Sequence, residues 1–185
     1  PFGVKLKILE LRGLPASLLI KIVHAYGGIL GPAHPYGEKF MSMITTTMRK
    51  EKYKEKITAL MPQFDFVEIY NACESEETNA KARKLAEEYN KPGFGGSDAH
   101  RLDCIGMAYS EFPETVRSED DLIAFVKTCP KIECGGTHYE RTTKGKIGKL
   151  NEVIVDSFYV YNKVANGWRG RKRRRELDSI IENKL

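Results

Sequence analysis

The sequence lacks any apolar run that approaches the ~20 residues needed to span a bilayer. Its first residues resemble neither a signal peptide nor a transit peptide. The four cysteines show no C-x-x-C spacing, which argues against a zinc knuckle and against a dithiol redox pair. We therefore expect a cytoplasmic protein whose cysteines are reduced thiols.

Histidine is also scarce, and no H-x-H pair occurs anywhere in the chain. The chain begins at Pro1 rather than at a methionine, and it enters at once a strand-like segment over 4–11 with apolar residues at alternate positions. A strand in this place would need upstream partners or would form an exposed edge. We expect the chain to be part of a longer polypeptide.

What the sequence does contain is enough for a folded α/β domain. With 185 residues and 41% hydrophobic residues, the chain can bury a substantial core, and its composition is not that of a disordered chain. Helical and strand-like patterns alternate along it, which predicts a mainly parallel sheet or a barrel. The predicted elements are helices over 14–26, 40–61, 76–89 and 118–129, and strands over 29–33, 64–71, 93–98 and 109–112.

Three polar residues follow two of the predicted strands. His34 ends the apolar run at 29–33, and Asp98 and His100 follow the glycine-rich strand end at 93–96. Functional side chains of α/β folds collect at the carboxyl ends of strands, and imidazole and carboxylate groups are common metal ligands. The sequence therefore predicts part of a divalent-metal site made of His34, Asp98 and His100.

Each of these residues also has a purely structural interpretation. His34 stands before a proline and is compatible with a turn, and Asp98 is compatible with a helix N-cap, since its carboxylate can accept from free backbone N–H groups. Their joint occurrence favours the metal site, because capping requires neither His100 nor a matching His34. His24, on a predicted helix, and His138, in the glycine-rich loop 135–138, are not expected to be ligands.

Three ordered stretches resemble the C-terminal half of a PHP domain, the polymerase and histidinol phosphatase superfamily. They are AYGGILGPAHPY at 25–36, FDFVEIYN at 64–71 and KPGFGGSDAH at 91–100, and the resemblance covers residues 14–135. It implies a distorted (β/α)7 barrel, of which this chain supplies about the C-terminal half to two thirds. It also implies metal-dependent hydrolysis of phosphate esters by a metal-activated hydroxide.

The resemblance assigns roles to individual positions. His34, Asp98 and His100 match metal ligands of the family, while Glu68 and Asn71 match a strand beside the site and are expected to orient ligands. The family binds two or three divalent ions, and histidine with carboxylate suits manganese, zinc or iron. Further family ligands come from an N-terminal half that this sequence does not contain, so we expect the chain alone to be inactive.

Two cations near the predicted ligands are candidates for binding a substrate phosphate. Arg101 follows His100 directly, and for this residue phosphate binding and a plain surface charge are equally good interpretations. Lys39 comes after the His34 turn, and for it a plain surface charge is the better interpretation. The sequence does not choose among a phosphomonoester, a nucleotide and an oligonucleotide end as the substrate.

The predicted organisation is a PHP-like domain over 1–146 followed by an extension over 147–185. From Trp168 onward there are seven basic and three acidic residues, so +4 of the formal net charge of +5 lies in this tail. Residues 168–175 could bind nucleic acid or an anionic membrane surface, or they could be a solvated helix. The chain is further expected to pair with the missing N-terminal half, or with itself, through exposed strand edges.

Two functional classes follow from these observations. The first is a PHP-family phosphoesterase. The second is a catalytically incomplete, PHP-like binding module that acts through its basic tail on nucleic acid or an anionic surface. An H-x-H pair and a later Asp-His upstream of Pro1 in the parent protein would favour the enzyme, and their absence would favour the binding module.

Overall fold

The computed structural model of the chain describes residues 1–4, 14–37, 42–44, 55, 58–139, 161 and 164. The predicted strand at 4–11, the helix at 40–61, Lys39 and the basic tail at 168–175 lie wholly or largely outside these residues. The chain forms two compact units, one from 1–3 and 29–140 and the other from 4–28 and 141–185. In the part that is described, no helix is both long and apolar enough to cross a membrane.

Helix α1, Ala16–Ala25, belongs to the second unit. It ends as the sequence predicts, because Gly27 adopts a φ of 77° and the Gly28 N–H donates to the carbonyl of Val23 over 3.0 Å. Glycine favours this left-handed C-terminal turn because it has no Cβ. Leu18 and Ile22 form a small apolar cluster with neighbours of the same unit: Val4, Leu14, Leu19 and Tyr26.

The first unit is built on a β–α–β arrangement. Strand β1, Val67–Asn71, is followed by helix α2, Glu76–Glu88, and by strand β2, Gly93–Gly96, which pairs with β1 in parallel. Ser75 caps the helix by accepting from the Thr78 N–H over 3.2 Å, and acidic residues in the first turn suit the helix dipole. The strands predicted at 64–71 and 93–98 are therefore present with shorter bounds.

The predicted strand at 29–33 runs beside β1 as an extended segment. The Asp65 N–H donates to the Leu30 carbonyl over 2.8 Å, and the Glu68 N–H donates to the Pro32 carbonyl over 3.1 Å. On its other side Ile29 forms an isolated antiparallel bridge with Phe2. Pro32 has no N–H to donate, which limits regular pairing in this segment.

The rest of the first unit adds an antiparallel pair and a helix. Strand β3, Ala108–Ser110, pairs with strand β4, Cys134–Gly136, and helix α3, Glu119–Lys127, lies between them in sequence. The strand predicted at 109–112 thus begins and ends earlier. The first two residues of the loop predicted at 135–138 belong to β4 instead. Glycine allows this close pairing with β3, since a side chain on Gly136 would clash with the Met107 carbonyl.

The described residues form a mixed α/β fold with small sheets, and they contain no closed barrel. An aromatic cluster fills the first unit, with the rings of Phe66 and Phe94 4.4 Å apart. The cluster is completed by Phe2, Phe112 and Phe125. The apolar side chains of Ile29, Ile123, Val126 and Ile132 are buried against these rings.

Candidate metal-binding site

The candidate site lies where three neighbouring extended segments end. His34 follows the segment at 29–33, Asn71 ends β1, and Asp98 comes two residues after β2. Because these segments run in the same direction, their carboxyl ends meet at one edge, the usual position of a functional site in α/β folds. The fold thus places His34 and Asp98 at the edge that the sequence predicted.

Two of the three predicted ligands, His34 and Asp98, adopt a left-handed backbone conformation. The φ angle is 28° at His34 and 48° at Asp98, and among the described residues only Asn90 and Cys129 share this property without being glycine. Such a conformation costs about 1–3 kcal/mol, so surrounding contacts must hold it, and it is concentrated at functional sites. Asp98 caps no α-helix, since the turn after it is a short 3₁₀ helix, Leu102–Cys104, that begins after Arg101.

A buried carboxylate connects the three segments. Oε2 of Glu68 accepts from the His34 backbone N–H over 2.6 Å and from Nδ2 of Asn71 over 3.1 Å. Burial raises the pKa of Glu68 and the nearby charge of Asp98 raises it further, while the hydrogen bonds from Asn71 and His34 oppose the shift. A side chain at Gly96 would clash with Glu68, so the glycine in β2 leaves room for the carboxylate.

Asn71 is the centre of the hydrogen bonds at this edge. It is 1% exposed, its N–H donates to Oδ1 of Asn79 over 2.9 Å, and its carbonyl accepts from Nδ2 of Asn79 over 3.1 Å. Its side chain reaches Glu68 and also accepts from the Cys73 N–H over 3.0 Å. The structure therefore places Glu68 and Asn71 beside His34, where the sequence expected orienting residues.

The imidazole of His34 contains a buried atom that lacks a partner. Nδ1 makes no hydrogen bond in the described part of the chain. The Gly37 turn encloses it, because a Cβ on Gly37 would stand 2.9 Å from Nδ1 and 2.9 Å from Oε1 of the buried Glu74. An unsatisfied buried polar atom costs about 1–3 kcal/mol, so it calls for a ligand. A neutral imidazole nitrogen suits a divalent metal.

Asp98 and His100 lie side by side after β2. Oδ1 of Asp98 is 3.7 Å from Nδ1 of His100, and this ring nitrogen also contacts the Asp98 carbonyl over 2.8 Å. A carbonyl oxygen only accepts, so Nδ1 carries the ring hydrogen here, and Nε2 is the nitrogen that would bind an ion. The side chain of His100 is 71% exposed, whereas that of Asp98 is 17% exposed. The imidazole therefore faces solvent at the rim of the site.

The three predicted ligands do not converge on one point. Within the described residues, no group of three or more His, Cys, Asp or Glu side chains is arranged to hold a metal ion. The structure pairs Asp98 with His100 and links His34 to Glu68, but the complete ligand set stays a prediction.

Two residues of this edge carried no clear signal in the sequence. Cys73 is fully buried, and its Sγ lies 3.2 Å from Oδ2 of Asp98. The Tyr139 hydroxyl shares its one proton between the carbonyls of Ser97 and Asp98, at 2.6 and 3.0 Å, and its N–H donates to the Ala72 carbonyl over 2.9 Å. Cys73 could have been found because it stands two residues after Asn71, whereas nothing in the spacing indicated Tyr139.

The environment of Tyr139 suppresses its ionisation. Burial, followed by the nearby ionisable groups of Cys73, Cys104 and Asp98, raises the pKa of Tyr139 to about 12. The phenol therefore keeps its proton at neutral pH and acts as a donor toward the backbone at Asp98. This contact helps to hold the left-handed turn at that residue.

The remaining candidates lie at the surface. Arg101 donates from Nε to Oδ1 of Asp103 over 2.9 Å, and both side chains are exposed. His24 and His138 are exposed as well. The phosphate-binding role predicted for Arg101 stays a prediction, and it would require the guanidinium to exchange or share its contact with Asp103.

A cleft of about 430 Å³ lies elsewhere in the first unit, between α2 and the segment at 129–134. It contains none of the predicted site residues. Its cations already have partners, since Arg83 pairs with Glu76, Lys131 pairs with Glu133, and Lys91 donates to the Pro62 carbonyl. The cleft therefore offers no evident anion-binding group.

Comparison with known proteins locates a family match inside the first unit. Residues 76–128, from α2 to just beyond α3, match the family described as PHP-associated. An uncharacterized protein of Methanocaldococcus jannaschii is 43% identical over 58 residues, which are 30% of this chain and 24% of that protein. No solved structure matches the chain. The chain thus covers less than a third of the length of this relative.

Proposed function

We propose, on the premise that residues 76–128 are a PHP-associated region, that the complete protein is a metal-dependent phosphoesterase. The observation that carries this proposal is the backbone geometry of His34 and Asp98. These two matched ligand positions stand at neighbouring strand ends, and both are held in a left-handed conformation. Backbone conformations of this kind are concentrated at functional sites.

His34, Asp98 and His100 would hold the metal, together with ligands from the N-terminal half of the parent protein. The donor set of imidazole and carboxylate fits manganese, zinc or iron, and the family resemblance implies two or three ions. The unpartnered Nδ1 of His34 and the close pair of Asp98 and His100 support this assignment. Bound divalent ions supply Lewis-acid chemistry that activates water and neutralises phosphate oxygens.

The other residues of the edge position these ligands. Glu68 holds the backbone of His34, Asn71 holds Glu68, and Tyr139 holds the carbonyl of Asp98. Arg101 would bind a phosphate oxygen of the substrate at the exposed rim, beside His100. The substrate class is a phosphate ester, and the exposed rim suits an end group or a small molecule that enters from solvent.

The proposed complete fold is the distorted (β/α)7 barrel of PHP domains. In the described part of this chain the parallel elements form an open arrangement, with Phe2 beside Ile29 at one side. The missing half of the domain, or a second copy of the chain, would pair with the exposed strand edges.

The test is hydrolysis of an aryl phosphate by the parent protein in the presence of Mn²⁺ or Zn²⁺. We expect Asp98→Asn and His34→Ala to abolish metal-dependent turnover and to leave the circular dichroism spectrum unchanged. His24→Ala is the matched control and should keep activity close to that of the unmodified protein. Full activity of both site variants would contradict the proposal.

A further inference from the structure

Cys73 is a buried thiol that contacts Asp98, Asn71 and the Tyr139 hydroxyl. Its side chain is fully buried, and Sγ lies 3.2 Å from Oδ2 of Asp98 and 3.2 Å from Oδ1 of Asn71. A thiol has one proton to donate. The carboxylate is the stronger acceptor because it is charged, and Oδ1 of Asn71 already accepts from the Cys73 N–H over 3.0 Å. The S–H proton therefore favours Asp98.

We infer that Cys73 is a positioning residue for Asp98. Its S–H donates to Oδ2 and fixes the rotation of the carboxylate, so that Oδ1 stays toward His100, 3.7 Å away. This inference rests on the proposed function, since it assigns Oδ1 to the metal. Neither the family match nor the predicted ligand set assigns a role to Cys73.

The contacts of Asp98 divide this task between two residues. The Tyr139 hydroxyl donates to the main-chain carbonyl of Asp98 and steadies its backbone, which has a φ of 48°. Cys73 reaches the carboxylate itself. Removal of the thiol would leave Oδ2 without this donor and let the carboxylate rotate about its last torsion, which is broad for Asp. Metal affinity typically falls 10–100-fold when a residue that orients a ligand is lost.

Cys104 provides a matched control. It is also a buried thiol, 6% exposed, but its Sγ lies 3.8 Å from Oδ1 of Asp103, and among the described residues it forms no hydrogen bond with Asp98. Cys104→Ala removes the same atoms from the same unit. Any effect that is general to the loss of a buried thiol should appear in both alanine variants.

The first experiment is a Mn²⁺ titration of the parent protein, followed by electron paramagnetic resonance. We expect Cys73→Ala to weaken binding about tenfold. Cys73→Ser, whose hydroxyl can donate to Oδ2, should restore most of the affinity, and Cys104→Ala should have no effect. Equal affinity of Cys73→Ala and the unmodified parent protein would overturn the inference alone. No Mn²⁺ binding by the unmodified parent protein would overturn the metal site and the inference together.

The second experiment needs no metal. The S–H stretching band of Cys73 is assigned in the Raman spectrum as the component that disappears in Cys73→Ala. We expect this band to move to higher wavenumber in Asp98→Asn, because a neutral amide is a weaker acceptor than a carboxylate. A band that is unchanged in Asp98→Asn would show that the thiol does not donate to Asp98 and would overturn the inference.

Discussion

The first unit contains two buried regions of opposite character along the same strands. The aromatic cluster around Phe66 and Phe94 is apolar and packs by ring contacts. The edge around Asn71 is polar, and its side chains are tied by hydrogen bonds to His34, Asp98 and their neighbours. Phe66 precedes β1 and Asn71 ends it, so one strand joins a region that stabilises the fold to a region that holds candidate ligands.

The two regions hold the backbone in different ways. The left-handed residues of the polar edge, His34 and Asp98, are held by donors and acceptors rather than by apolar packing. Substitutions in the aromatic cluster should therefore change stability, whereas substitutions of the ligands should change metal binding.

The largest effect on stability is expected for Phe66→Ala. Phe66 is 8% exposed and contacts the rings of Phe94 and Phe2. Loss of the ring should lower the free energy of unfolding by about 3–5 kcal/mol, because it removes buried area and leaves a cavity. Urea denaturation measures this change. Leu102→Ala is the control, since that side chain is 88% exposed and its loss should alter stability by less than about 0.5 kcal/mol.

Asn71→Leu should have the next largest effect. It leaves the buried Glu68 carboxyl group and the Cys73 N–H without their partner at Asn71. Each unsatisfied group costs about 1–3 kcal/mol, so we expect a loss of roughly 2–4 kcal/mol in the same urea measurement. Wild-type stability of this variant would show that the polar edge does not contribute to the fold.

Asp98→Asn should give the opposite result to Phe66→Ala. Asparagine tolerates a positive φ and keeps a similar size, so the free energy of unfolding should change by less than about 1 kcal/mol. Mn²⁺ affinity, measured by isothermal titration calorimetry, should fall at least tenfold because the charge that offsets the ion is gone. Wild-type affinity would remove Asp98 from the site.

The pattern of the sequence was sufficient for the local elements. The apolar spacing predicted α2 and α3 within a residue or two, and the α/β class follows from the alternation of elements. The match at residues 76–128 confirms the resemblance to the C-terminal region of a PHP domain.

Long-range contacts were harder to predict from the sequence. The glycines of β4 have low strand propensity, and the pairing with β3 that orders them depends on residues 24–28 positions away. The contact of Tyr139 with Asp98 spans 41 residues and has no local signature. His34 and Asp98 could be identified from the residues next to them in sequence, but the contacts that Cys73 and Tyr139 make with Asp98 could not.

The smallest expected effect is a difference in alkylation rate between two cysteines, Cys129 and Cys134. Cys129 is exposed, whereas burial raises the pKa of the half-buried Cys134 thiol, and the nearby charge of Glu133 raises it further. A raised thiol pKa leaves less thiolate at pH 8, so Cys134 should react with iodoacetamide more slowly than Cys129. Mass spectrometry of timed samples gives the order. Faster labelling of Cys134 would contradict the burial of this thiol.

The most direct test of the central claim is anomalous diffraction from crystals of the parent protein soaked in Mn²⁺. The proposed site predicts an anomalous peak bonded to His34, Asp98 and His100, or an adjacent pair of peaks that these side chains share, at distances of about 2.0–2.3 Å. If ions bind elsewhere, or if the three side chains point to places too far apart for one ion or an adjacent pair, the metal site is wrong.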